Sequence, residues 1–225
     1  GQREGAHLFA RILSRDHEEG LGQGVAAPID RDLLLFHRFE QRALRFGRGT
    51  IDLIGEHQLR EDRAALKFEA AAGAWEEAAD VDFIYVPSED AACTAANPNV
   101  LFDIRPIDVN GQYLARAFFP NEPRPERNVL IDESAFRLDP NAVLQLVGIL
   151  RHELGHTLGW RHEHTRPESG TCFEDNDWRP LTDYDRFSVM HYPQCNGGGD
   201  WSLMLTHKDK NGAACVYGAD RKSTR

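Results

Sequence analysis

The 225-residue sequence carries a formal net charge of −10, with 41% apolar and 28% charged residues. A chain of this length can bury a hydrophobic core as one large domain or as two lobes that share a cleft. The acidic balance argues against a surface that binds nucleic acid or anionic membranes, because both favour basic patches. The longest nearly apolar run, at 142–150, is far too short to span a bilayer.

Strand and helix patterns alternate from residue 43 onwards, whereas residues 1–42 show no clear pattern. The stretch at 49–55 is rich in β-branched residues between glycines, as expected for a strand. Apolar residues then recur at helical spacing, which predicts an amphipathic helix over about 59–79. Further strands are predicted at 81–86, 99–107, 113–119 and 128–132.

A second helix is predicted to follow the last strand. Asp139 offers its N-cap, and Pro140 suits the first helical position, so this helix can run to Gly159. The residues after Gly159 favour loops. The elements predict an α/β fold with an upper lobe at 43–159 and a largely irregular lower lobe at 160–225.

The lower lobe is predicted to end in a helix near 206–217. Thr206 and Asp209 resemble a capping box, in which each residue satisfies the backbone N–H of the other. Gly218 is typical of the position that stops a helix.

Four cysteines include no Cys-x-x-Cys pair, so a cysteine zinc site is not expected. An even count fits two disulfides, for which three connectivities exist. Cys172 and Cys195 bracket a polar, loop-like segment, and we expect them to form one bridge. Cys93 and Cys215 would then form the second by elimination. Because disulfides form in oxidising compartments, the sequence favours a secreted protein over a cytosolic one with four buried thiols.

The segment HELGHTLGWRHEH, at 152–164, concentrates metal-ligating side chains. His152 and His156 lie four positions apart on the predicted helix, at similar azimuth and about 6 Å apart along its axis. Both imidazoles can therefore bind one metal ion. Glu153 is rotated too far to share the same coordination bond, but it is close enough to touch a water on the metal.

A third ligand has to come from beyond the helix. If the helix continued, His162 would lie about 9 Å further along the axis than His156, out of reach of the same ion. Gly159 can adopt positive φ, end the helix and turn the chain back towards the metal. His164 would face the same side as His162 in an extended segment, so geometry alone leaves both histidines as candidates.

The spacing His-Glu-x-x-His-x-x-Gly-x-x-His at 152–162 resembles the signature of the metzincin zinc peptidases. The sequence SVMHY at 188–192 resembles the methionine turn of astacins, and HEHTRPE at 162–168 resembles the astacin continuation after the third ligand. The order of motifs over about 60–218 is most similar to secreted bacterial astacin-like peptidases, the igalysins. The resemblance implies a two-lobed catalytic domain at 43–225, with a mixed five-stranded sheet and the zinc helix in its N-terminal lobe.

The resemblance also implies the chemistry of the site. His152, His156 and His162 would bind one catalytic Zn2+ and leave one coordination position open. The ion would lower the pKa of its bound water to about 7, and Glu153 would act as the general base. Tyr192 would donate its phenol to the developing oxyanion, and it is also a candidate fifth ligand of the resting ion.

Other residues support the site in this interpretation. Met190 would form an apolar floor beneath the histidines, and Gly159 would supply the turn. His164 would be left over, either behind the ligands or on the surface. Glu163 would point away from the metal if His162 points in. In mature astacins the matching glutamate pairs with the processed N-terminus.

The strand predicted at 113–119 matches the antiparallel edge strand above the metzincin cleft. An edge strand offers unpaired N–H and C=O groups that can bind an extended peptide as one more strand. We therefore expect a zinc-dependent endopeptidase that acts on polypeptides, is secreted as a monomer, and binds neither nucleic acid nor membranes.

Two alternatives remain open. The chain begins without an initiator methionine, which indicates processing or trimming, and residues 1–42 are either an N-terminal extension or the pro-segment of a latent zymogen. Asp16 and Asp30 are candidates for the aspartate with which astacin pro-segments block zinc. The other alternative is a binding module that retains zinc without turnover, although such a module has no need of Glu153 beside the metal.

Overall fold

The computed structural model describes residues 49–53 and 58–219, so the segment at 1–42, with Asp16 and Asp30, lies outside the described residues. The strands are β1 (Gly49–Leu53), β2 (Phe83–Tyr85), β3 (Phe102–Ile107), β4 (Ala115–Arg116) and β5 (Asn128–Asp132), and the helices are α1 (Gln58–Glu76), α2 (Leu146–Thr157) and α3 (His207–Tyr217). The α/β class that the sequence predicts is confirmed. Within the described ranges, every helix falls short of the length and apolar character needed to cross a bilayer.

The strands form one mixed sheet in the order β2-β1-β3-β5-β4. Strands β1, β2, β3 and β5 run parallel, and β4 runs antiparallel to β5 at the end of the sheet. Helices α1 and α2 share one hydrophobic core with this sheet. The antiparallel strand therefore lies at an edge, as expected.

The edge strand is shorter than the predicted range of 113–119, because only Ala115–Arg116 pairs with β5. Two phenylalanines follow this strand and contact different parts of the molecule. Phe118 is buried in the core, whereas the Phe119 ring makes a T-shaped contact with the His156 ring, with centroids 5.4 Å apart. The segment that follows β4 thus contacts one of the histidines of the 152–164 motif.

The predicted start of the second helix was wrong, because α2 begins at Leu146 and not at Asp139. The Asp139 carboxylate caps a turn by accepting a hydrogen bond from the Asn141 N–H at 2.9 Å. The Gln145 side chain then donates to the carbonyls of Asp139 and Ala142. These local side-chain bonds compete with helix formation, and Gln145 remains extended as the N-cap of the helix.

The two central helices are joined through a tryptophan. The apolar residues that recur at helical spacing are buried, as predicted: Phe68, Ala71 and Trp75 on α1, and Ala78 in the turn that follows it. The Trp75 indole N–H donates to the carbonyl of Arg151 in α2 at 2.9 Å. Because the next residue is His152, this bond fixes α2 at the point where its histidine cluster begins.

The predicted capping box of α3 is present. The Thr206 hydroxyl accepts from the Asp209 N–H, the Asp209 carboxylate accepts from the Thr206 N–H, and Gly218 ends the helix with φ 86°. The same carboxylate accepts hydrogen bonds from the Ser188 hydroxyl and the Val189 N–H. The start of α3 therefore holds the turn at 188–192, whose sequence resembles the methionine turn of astacins.

Cys172 and Cys195 form a disulfide with Cα atoms 5.7 Å apart, as predicted. The second predicted bridge is wrong, because Cys93 and Cys215 both carry thiols. Cys93 is buried after the turn Pro87–Ala92, whereas Cys215 faces solvent on α3. A disulfide requires Cα atoms within about 7 Å and facing side chains, which a count of cysteines does not guarantee.

Candidate active site

Three imidazoles converge where α2 ends and the chain turns back. The Nε2 atoms of His152, His156 and His162 lie 3.2 Å apart in each pair. Three nitrogens bound to a tetrahedral zinc ion at about 2.0–2.1 Å would lie about 3.3–3.4 Å apart. The donor set therefore fits a zinc ion with little adjustment.

The two histidines on α2 are each held by a hydrogen bond from Nδ1 to a backbone carbonyl. His152 donates to the carbonyl of Val189 at 2.8 Å, and His156 donates to the carbonyl of Trp160 at 2.7 Å. Burial lowers the pKa of His152 to about 3 and that of His156 well below its usual value, and the neighbouring histidines add to both shifts. Both rings are therefore neutral, with a proton on Nδ1 and the Nε2 lone pair free for a metal.

The turn at Gly159 brings the third histidine to the other two. Helix α2 ends at Thr157, and Gly159 has φ 93°, the left-handed conformation that the sequence predicts there. The Gly159 N–H donates to the carbonyl of His156 at 2.8 Å, and this bond helps to close the helix end. The chain then reverses direction and places His162 against the helix pair.

Glu153 lies on α2 one position after His152, and its side chain is only 6% exposed. One helical step rotates a side chain by about 100° around the axis. Glu153 therefore leaves the helix at a different azimuth from His152, and the described groups that could hold a metal with His152 are His156 and His162.

The turn at 188–192 packs against the histidine cluster. Met190 is buried, and its carbonyl accepts a hydrogen bond from the Glu163 N–H at 2.9 Å. The Tyr192 ring stacks on His152 with centroids 5.2 Å apart, and its centroid lies 4.6 Å from that of His162. The structure thus brings the predicted tyrosine to two of the converging histidines.

Glu163 turns to a different set of partners. Its carboxylate accepts from the Asp185 N–H at 2.8 Å and from the Arg166 guanidinium at 3.1 Å. Burial raises the pKa of Glu163 to about 7, although the Asp185 N–H and Arg166 oppose this shift. Glu163 therefore connects the segment after His162 to Asp185 in the lower lobe. Among the described residues, it is not in either group that could hold a metal ion.

Sequence reasoning missed one acidic residue of the site, Glu174. His162 Nδ1 donates to Glu174 Oε1 at 2.6 Å, and His164 Nε2 donates to the same oxygen at 3.1 Å. Although burial raises the pKa of Glu174, these hydrogen bonds hold it below its usual value. Metal-bound histidines usually donate Nδ1 to a carboxylate or carbonyl, which predicts such a partner without saying which residue supplies it.

A cavity of about 430 Å3 opens beside the turn that carries Tyr192. Its lining includes His191, the residue before Tyr192, and the segment at 198–200. Phe187 and Met204 also line it, and both side chains are more than half exposed. The cavity therefore offers apolar groups beside the turn at 188–192.

Two solved structures are similar to this chain. Myroilysin is 18% identical, with 75% of this chain and 91% of that chain covered, at a TM-score of 0.49. High choriolytic enzyme 1, a hatching enzyme zinc-protease from Oryzias latipes, is 17% identical, with 76% and 89% covered, also at a TM-score of 0.49.

Sequence comparisons give a family. A curated relative, zinc metalloproteinase nas-30 of Caenorhabditis elegans, is 35% identical over 82 residues, which span 28% of this chain and 11% of the relative. The matrixin family model matches residues 50–169, which include the three converging histidines and Glu153. Because this match spans more than half of the sequence, the chain belongs to the matrixin family, and so to the metzincin-type zinc peptidases.

Proposed function

We propose that this chain is a zinc-dependent endopeptidase that hydrolyses peptide bonds within extended polypeptides. One observation carries the proposal: three Nε2 atoms converge at mutual distances of 3.2 Å, and the buried Glu153 directly follows one of these histidines on α2. A site that only stores zinc does not need a base next to its open side. Membership of a peptidase family adds support.

His152, His156 and His162 would hold the metal through Nε2. A bound zinc ion supplies a Lewis acid that polarises the scissile carbonyl and makes water a nucleophile at neutral pH. Glu153 accepts the proton of the attacking water and delivers it to the nitrogen of the leaving amine. The hydrogen bonds at Nδ1 keep two of the imidazoles in the required tautomer through backbone carbonyls.

Tyr192 is proposed to stabilise the transition state. Its ring stacks on His152 and lies close to His162, and we propose that its phenol reaches the carbonyl of a substrate bound at these histidines. A phenol donates one hydrogen bond to the oxygen as negative charge develops on it. The same position suits a fifth ligand in the resting enzyme.

The edge strand supports a polypeptide substrate. Strand β4 ends the sheet, and Phe119, three residues after Arg116, contacts the ring of His156. An extended peptide that added to β4 as a further strand would therefore pass the histidine cluster. We propose that backbone hydrogen bonds to β4 align the scissile bond with the site.

The cavity beside Tyr192 is proposed to receive the side chain that follows the scissile bond. Phe187, Leu203 and Met204 give it an apolar wall. Burial of an apolar side chain stabilises a complex by about 25 cal/mol per Å2 of surface removed from water. We therefore propose a preference for apolar residues immediately after the cleaved bond.

We also propose that the enzyme is a secreted, astacin-like member of its superfamily. The family match at 50–169 covers the zinc motif, whereas the astacin-like sequence SVMHY lies beyond it at 188–192. The subgroup therefore depends on the lower lobe. The disulfide between Cys172 and Cys195 supports an oxidising compartment.

The test is digestion of a library of denatured proteins, with the cleavage sites identified by mass spectrometry. We expect internal cleavage that a zinc chelator stops and added zinc restores. Apolar residues should be enriched directly after the cleaved bonds. Tight zinc binding without cleavage, in a chain from which residues 1–42 have been removed, would favour a binding module instead.

A further inference from the structure

The third ligand differs from the other two in what holds it. His152 and His156 lie on α2, and each donates Nδ1–H to a neutral backbone carbonyl. His162 lies beyond the helix, on an irregular segment, and donates Nδ1–H to the carboxylate of Glu174 at 2.6 Å. A loop residue has fewer constraints than a helical one, so its orientation depends more on this single partner.

Glu174 is itself held by a second histidine. His164 Nε2 lies 3.1 Å from the carboxylate oxygen that accepts from His162, and the His164 side chain is only 2% exposed. His164 Nδ1 accepts a hydrogen bond from the Tyr192 N–H at 3.3 Å. Because Nδ1 is the acceptor, the proton of the neutral ring is on Nε2, which faces Glu174.

The loop that carries Glu174 is anchored on both sides. The Glu174 N–H donates to the hydroxyl of the buried Thr165 at 3.2 Å. Two residues earlier, Cys172 is bonded to Cys195, which follows Tyr192 by three residues. The carboxylate is therefore fixed relative to both the ligand segment and the turn at 188–192.

We propose that Glu174 is the positioning residue for the third zinc ligand, and that His164 serves to hold Glu174. The carboxylate fixes the Nδ1–H tautomer of His162, aims its Nε2 at the metal and makes the ring a more basic ligand. The inference rests on the proposed zinc site. The inference also assigns a function to His164, which is not one of the three proposed zinc ligands.

Zinc affinity tests the inference without reference to peptidase activity. Competition with a chromophoric chelator gives the zinc Kd and the number of ions bound per chain. Glu174→Gln keeps the size of the side chain but removes its charge, and it should raise the zinc Kd by about 10–100-fold. The matched control is Asp177→Asn, an exposed carboxylate in the same loop, whose effect should stay within about twofold because solvent screens its charge.

A double-mutant cycle shows whether His164 acts through Glu174. His164→Asn removes the Nε2 donor and should raise the zinc Kd several-fold, to a smaller extent than Glu174→Gln. In the Glu174→Gln background the same substitution should add little, because the group that it holds is already changed. If Glu174→Gln fails to fold by circular dichroism, His164→Asn alone still tests the inference.

The outcomes separate the inference from the proposed function. A wild-type chain that binds one zinc ion, together with a Glu174→Gln variant of equal affinity, would overturn the positioning role alone. A wild-type chain that binds no zinc would overturn the proposed function. Two zinc ions per chain, one of them lost with Glu174, would show that His162, His164 and Glu174 form a second metal site, and this too would overturn the positioning role.

Discussion

The sulfur of Met190 lies so close beneath Gly155 that a Cβ added to Gly155 would come within 2.5 Å of it. The Trp75 ring is also close, at 3.1 Å from that Cβ. Helix α2 therefore rests on the methionine turn with only a hydrogen atom between backbone and sulfur. This contact supports the prediction that Met190 forms an apolar floor, and Gly155 allows α2 to approach it.

Gly155→Ala should disturb this contact. The added methyl group has to displace Met190 or Trp75, so we expect about 1–3 kcal/mol of destabilisation in urea unfolding, together with weaker zinc binding. Gly73→Ala is the matched control, because Gly73 lies within α1 and its Cβ would meet nothing within 4 Å. That substitution should stabilise the protein by up to about 1 kcal/mol. Equal effects of the two changes would contradict the close approach.

Tyr192→Phe removes the phenol and keeps the ring that stacks on His152. If the phenol acts on the oxyanion, kcat should fall about 10²–10³-fold while KM and zinc content change little. Tyr85→Phe is the control. It removes a phenol from β2, at the edge of the sheet opposite β4, and should leave kcat unchanged. Full kcat in Tyr192→Phe would show that the ring is only structural, and loss of zinc would assign it to the metal site.

The disulfide should stabilise the lower lobe. It closes a loop with a sequence separation of 23, so replacing Cys172 and Cys195 together by serine should lower the free energy of unfolding by about 3 kcal/mol. Cys215→Ser changes an exposed thiol and should have little effect. Non-reducing peptide mapping provides the second measurement, and alkylation of all four cysteines in the native protein would refute the bridge.

Zinc should stabilise the fold by mass action. Each tenfold increase in free zinc above the Kd should add about 1.4 kcal/mol to the free energy of unfolding. His156→Ala should abolish this dependence, whereas His207→Ala, which changes an exposed histidine on α3, should preserve it. A thermal unfolding series at buffered zinc concentrations measures both. Zinc-independent stability of the wild-type chain would contradict the site.

Local patterns predicted most of the elements. The apolar spacing around Trp75, the capping box of Thr206 and Asp209, and the turn at Gly159 all depend on interactions within a few residues. Such interactions are present in the sequence itself. The predicted start at Asp139 failed for the same reason, because its side chain caps a local turn as readily as a helix.

Contacts between residues far apart in the sequence could not be predicted from local patterns. The pairing of Cys93 with Cys215 rested on the number of cysteines, and the fold places one inside and the other at the surface. Glu174 follows His162 by 12 residues in an irregular segment, where no periodicity relates them. The convergence of His152 and His156 was predictable because one helix turn sets their geometry, whereas the groups that hydrogen-bond to their rings come from the tertiary fold.

We propose above that Glu153 is the general base of a zinc peptidase, and replacing its carboxylate tests this role most directly. Glu153→Gln keeps the shape of the side chain but cannot accept the proton, so turnover of a denatured protein substrate should fall by at least about 100-fold. Zinc content and the circular dichroism spectrum should remain those of the wild-type chain. Glu133→Gln, an exposed control, should retain full activity. Near-normal turnover by a zinc-loaded Glu153→Gln variant would show that Glu153 is not the general base.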